Sequence, residues 1–67
     1  MNEAIVQNYI GLLCAKIVAM YSVSMEVARK AVDDCKIKEL FCDNPEFVDH
    51  VPLSSWAQQI FDARISQ

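Results

Sequence analysis

One glycine and no threonine in 67 residues leave almost nothing from which to build the tight turns of a small β fold. A sandwich or barrel of this length needs turn residues every 8–12 positions or so, and both prolines, Pro45 and Pro52, fall in the second half of the chain. The sequence therefore reads as all-α. The residue pattern predicts one domain over 1–67, a small bundle of three main helices plus a short helical segment. A chain this short hides only about 60% of the surface that its unfolded form exposes, which leaves little stability to spare for strained catalytic geometry. With 54% hydrophobic and 22% charged residues it nevertheless has the composition of a folded chain.

The first helix is expected from about Glu3 to Tyr21, with Asn2 as N-cap and Glu3 beside the positive end of the helix dipole. Ser22-Val23-Ser24 breaks it, and Ser24 reads as the N-cap of a second helix running from Met25 to about Cys35. In that helix Met25, Ala28, Val32 and Cys35 form a narrow apolar stripe, opposite Glu26, Arg29, Lys30, Asp33 and Asp34. The short segment follows, with Ile37, Leu40 and Phe41 facing inward, closed by Asp43-Asn44-Pro45. From Glu46 to Val51 a helical turn and an extended connection fit equally well, and Pro52 pushes Val51 into an extended conformation. The last helix is expected from Ser54 or Ser55 to Ile65. Ser55 and Gln58 have capping-box spacing there, and Leu53, Trp56, Ala57, Ile60, Phe61 and Ile65 form the buried stripe.

At 100° per residue, the first helix spreads Leu12, Ile5, Tyr9, Met20, Leu13, Val6, Ile17, Ile10, Tyr21 and Cys14 over an arc of about 200°. A helix packed on one side needs about half of that. On the remaining side Gly11, Ala15 and Ala19 stack at i, i+4 and i+8, which lets another backbone come close. The rest of so short a chain is not expected to cover the broad arc and the small-residue groove together. Part of the first helix is therefore expected to lie between chains, with Tyr9, Leu13, Ile17, Met20, Gly11 and Ala15 at the contact. Homodimerisation is the simplest form, since two-fold dimers are the commonest oligomers; a foreign protein partner is the other, and the plainer alternative is a monomeric bundle. Lys16 sits inside the apolar arc. Either its stem lies along apolar surface with the ammonium in water, or it pairs with a carboxylate of the acidic segment.

The formal net charge is −3, and the acids concentrate between Asp33 and Asp49. That balance disfavours generic nucleic-acid binding and attraction to anionic lipid. Ile5 to Val23 is apolar enough to raise the question of a membrane span, but a central lysine costs about 2.5–3.5 kcal/mol to insert, so a soluble helix is expected. Three cysteines cannot all pair within one chain, and Met-Asn-Glu lacks the basic start of a secretory signal; reduced thiols and a cytoplasmic location are expected.

Cys35, Cys42 and His50 are too widely spaced for a zinc knuckle, and no close Cys or His pair accompanies them. No metal or cofactor is expected. His50 could in principle serve as base for a Cys35 or Cys42 thiolate, but a nucleophilic pair also needs a pocket, so no enzyme activity is expected. The start of the second helix resembles a helix-turn-helix opening. It offers Glu26 where a reading helix carries basic or amide side chains, leaving a small acidic DNA-linked regulator as an alternative.

Tyr21-Ser22-Val23-Ser24-Met25-Glu26-Val27-Ala28, the Lys38-Glu39-Leu40 segment and Pro52-Leu53-Ser54 before a final apolar helix give the chain an order that resembles a family of short all-helical bacterial proteins of unknown function. Members of that family are often the small partner in gene pairs whose other product resembles an ADP-ribosyltransferase toxin. The resemblance implies a neutralising or scaffolding partner with no catalytic residues of its own. Together the readings predict a non-enzymatic, self-associating helical module for protein–protein interaction.

Overall fold

Nineteen residues uninterrupted by proline form α1, Glu3–Tyr21, in the computed structural model, which describes residues 3–66. The expected cap Asn2 lies outside the described residues. Ser22 ends the helix in the left-handed region at φ 57°, its N–H donating to the Val18 carbonyl at 2.9 Å. This is the usual left-handed helix stop, here carried by a non-glycine residue at some conformational cost. Ser24 then caps α2, Met25–Asp34, its extended backbone and side-chain oxygen accepting from the Val27 N–H at 3.2 Å. A second left-handed residue, Lys36 at φ 60°, turns the chain into α3, Ile37–Asp43.

The segment that the sequence left open, 46–51, is mostly helical. Pro45 occupies the first turn of α4, Pro45–His50, where its fixed φ suits a helix and its missing N–H costs nothing. Val51 is extended ahead of Pro52, as the proline requires. The last helix, α5, spans Leu53–Ile60 and starts earlier than expected. Pro52 is its N-cap residue, with a carbonyl that accepts from both Ser55 and Trp56, and the helix has no side-chain cap. Ser55 therefore sits inside the first turn, and the expected capping box does not form. A π-helical turn, Phe61–Ile65, completes the chain, closed by Ser66 N–H donating to the Phe61 carbonyl at 2.8 Å. The expected single short segment is thus two short helices, and the described residues hold five helices and this turn, with no strand.

α1 lies at the centre, packed against α2, α3 and α5. Val6, Ile10, Leu13, Cys14 and Ile17 form its buried stripe and meet Ala28, Ala31 and Val32 of α2, Ile37 and Phe41 of α3, and Ala57 and Ile60 of α5. α4 adds Val48, fully buried, whose carbonyl accepts the Trp56 indole N–H at 3.0 Å. Tyr21 stacks on Phe61 with ring centroids 3.8 Å apart, tying the end of α1 to the π turn. The accessible surface is 4404 Å² for 7.6 kDa, close to the roughly 4,300 Å² that general scaling gives a compact monomer of this mass. Whatever apolar surface remains outside is therefore not a sign of loose packing.

Candidate interaction surface

Half of the apolar arc of α1 is covered and half is not. The covered half runs from Leu13 to Cys14 around the helix, and Leu13 and Ile17 have no exposed surface at all. Both were expected at a contact with another chain, yet both are consumed by this chain's own core, because α2, α3 and α5 pack on that half of the arc. Tyr9 is half-buried against Phe41, with ring centroids 4.9 Å apart. Its hydroxyl is buried without a hydrogen-bond partner, and burial, reinforced by the nearby Asp49 carboxylate, pushes its pKa up.

Of the other expected contact residues, Gly11, Ala15 and Met20 are exposed. Beside them the structure leaves Ile5 55% and Leu12 54% exposed, on the edge of the arc that adjoins Gly11, Ala15 and Ala19. These two large residues belonged to the arc but were not singled out as contacts. Their position at one edge of the arc was no sufficient signal, since Cys14 at the other edge is fully buried. A methyl group added at Gly11 meets nothing within 4 Å. The outer face of α1 is thus broad and mostly apolar or small, with exposed Asn8 among its small residues, and it carries Lys16 as its one charge between the helix ends. Lys16 is half-buried and makes no ion pair among the described residues, so of its two expected settings the pairing with its own acidic segment does not occur there. The ion pair that does form, Lys38 with Glu3 at 3.6 Å, is solvent-exposed and contributes little.

At the N-terminal end this face runs into a shallow depression lined by Ile5, Phe41, Pro45, Glu46 and Asp49. The apolar surface thereby continues from α1 onto α3 and α4, with two carboxylates at its rim. α1 is also long and apolar enough to cross a membrane by length and composition. Five of its apolar side chains, however, are built into the core, and a spanning orientation would have to strip them out of it.

Two of the three thiols are arranged for packing. Cys14 is buried, and burial pushes its pKa up despite the opposing influence of Arg29. Cys35 is half-buried, its thiol donating to the Val32 carbonyl at 3.1 Å, and burial likewise raises its pKa, outweighing Arg64. A nucleophilic cysteine needs the opposite shift. Cys42 and His50 are exposed, and no group of three or more His, Cys, Asp or Glu side chains placed to hold a metal ion occurs among the described residues. A groove lined by Cys35, Ile37, Leu40, Trp56, Ile60 and Arg64 has a volume of about 210 Å³, and an open depression lined by Lys38, Glu39, Cys42 and Asp43 one of about 540 Å³; the first lies below the roughly 300–1,000 Å³ of ordinary small-molecule sites and the second within that range.

No family model matches this chain, and no characterised protein or solved structure is significantly similar to it.

Proposed function

We propose that this chain is a non-enzymatic helical module for protein–protein interaction, working through the outer face of α1. The observation that carries the reading is the exposure of Ile5 and Leu12, each more than half open, on a helix that buries Val6, Ile10, Leu13, Cys14 and Ile17 on its other side. Large apolar residues adjoining a row of small ones, with a single lysine between the helix ends, make a surface suited to another helix. The raised pKa values of the Cys14 and Cys35 thiols support a binding rather than a chemical role. A neutralising or scaffolding partner, as the family resemblance implies, is a role of this kind.

The test uses two matched baits, the wild-type chain and Leu12→Glu, in affinity capture from cells that produce the protein. Leu12 is exposed, so the variant should keep its helicity and lose no more than about 0.5 kcal/mol of stability. The expected result is a protein, or further copies of the chain itself, retained by the wild type and lost by the variant. Identical retained sets, with both baits monomeric in solution, would count against the proposal.

A further inference from the structure

Resting on the interaction-module reading, we infer that the occupant of the α1 outer face is a second copy of this chain, laid antiparallel across a two-fold axis near Gly11 and Leu12. The argument is one of charge placement. Lys16 lies without an ion-pair partner among the described residues, on the flank of the face that also carries Ile5, where Glu46 and Asp49 rim the depression. Eleven residues of helix separate Lys16 from Ile5, about 16 Å along the axis, so the lysine does not reach those carboxylates within its own chain.

An antiparallel two-fold axis runs perpendicular to the plane of the two helices, so each flank of one copy faces the same flank of the other, reversed end to end. With the axis near Gly11 and Leu12, Lys16 of each copy comes level with the stretch from Val6 to Asn8 of the other, next to its Glu46 and Asp49. Two equivalent ion pairs then flank an apolar seam of Ile5 and Leu12. A parallel pairing instead sets each Lys16 against the opposite flank, where Gly11 and Ala15 offer no carboxylate. Gly11 has the complementary role on that other flank. Inside a helix it carries a propensity cost that nothing within its own chain explains, because the space over it is open to 4 Å. A backbone approaching from a second copy fills that space.

The footprint is modest. A helix face about 28 Å long and roughly 10 Å wide falls short of the ~800 Å² per partner of standard interfaces, so the dimer should be weak and concentration-dependent. Sedimentation equilibrium of the whole chain over roughly 10 μM to 1 mM is therefore the experiment, with circular dichroism confirming that each variant is folded.

The wild type should show a reversible monomer–dimer equilibrium. Lys16→Glu should weaken it about 3- to 30-fold, Glu46→Lys with Asp49→Lys should do likewise, and the three changes combined should restore it. Gly11→Gln should raise the melting temperature and at the same time weaken association, a split that a purely internal role for Gly11 does not produce. A monomer throughout, a dimer indifferent to Leu12→Glu, or charge reversals that do not rescue one another would each overturn the inference. A monomer whose wild-type bait still captures a protein that Leu12→Glu loses leaves the interaction module standing and removes only the second copy. Binding to phosphatidylcholine–phosphatidylglycerol vesicles that Leu12→Glu abolishes assigns the face to lipid and overturns the inference as well.

Discussion

Leu12 and Leu13 are neighbours in sequence and opposites in environment, 54% and 0% exposed. Leu13→Ala should cost about 2–5 kcal/mol through lost burial and a residual cavity, a large share of the few kcal/mol available to a domain this small. Leu12→Ala should change monomer stability by no more than about 0.5 kcal/mol. Chemical denaturation of the two variants side by side measures the contrast. Tyr9→Phe removes a hydroxyl that is buried and unpaired while keeping the ring against Phe41, so stability should be unchanged or higher by up to about 1 kcal/mol. The thiols give a pH dependence with a definite sign. Cys14 and Cys35 hold their protons more tightly in the folded chain than in the unfolded one. Their contribution is therefore fully present below the unfolded thiol pKa, about 8.5, and is lost as pH rises above it. Thermal melts between pH 7 and 10 should show a falling melting temperature, with a shallower slope in Cys14→Ala. At neutral pH a thiol reagent should modify exposed Cys42 quickly, half-buried Cys35 more slowly and buried Cys14 only as the protein opens.

Each element is shaped by its ends as much as by its apolar face. α2 is held by the Ser24 cap, and Ser24→Ala should cost about 1 kcal/mol. α2 passes into α3 through Lys36 at φ 60°, a conformation that a β-carbon makes unfavourable by about 1–2 kcal/mol. Lys36→Gly should therefore stabilise the fold by about 0.5–1 kcal/mol, the relief of strain exceeding the added freedom of the unfolded chain; the shift in denaturation midpoint is the measurement. The helix boundaries divide along the same lines. α1, and α2 to within one residue, follow directly from local signals: a long run without proline, then Ser24 with Glu26 two residues later. The start of α5 does not, because two local signals compete. Ser55-Gln58 spells a capping box, but Pro52, already set at φ −57°, starts the helix three residues earlier and places Ser55 inside it. α4 was equally hidden, since six residues carry too little periodicity to separate a helix from an extended connection.

At the scale of the whole molecule the chain is a closed bundle with one open side. Its extents of 30 × 19 × 18 Å show how completely α1, about 28 Å long, sets the long axis while the shorter helices gather on part of its circumference. Composition and periodicity determined the all-α class, the position of the first helix and the excess of apolar surface on it, because these depend on counting residues around a regular helix. Which half of that excess is hidden is a tertiary matter. Three elements far apart in sequence converge on Leu13 and Ile17, while Ile5 and Leu12, chemically equivalent to them, are left facing out. No local property distinguishes the two pairs; only the direction from which α2, α3 and α5 arrive does. The same holds for Val48, which an ambiguous segment carries to full burial beneath the Trp56 indole, and for Lys16, whose lack of a partner is visible only once the acidic segment is seen to pack elsewhere.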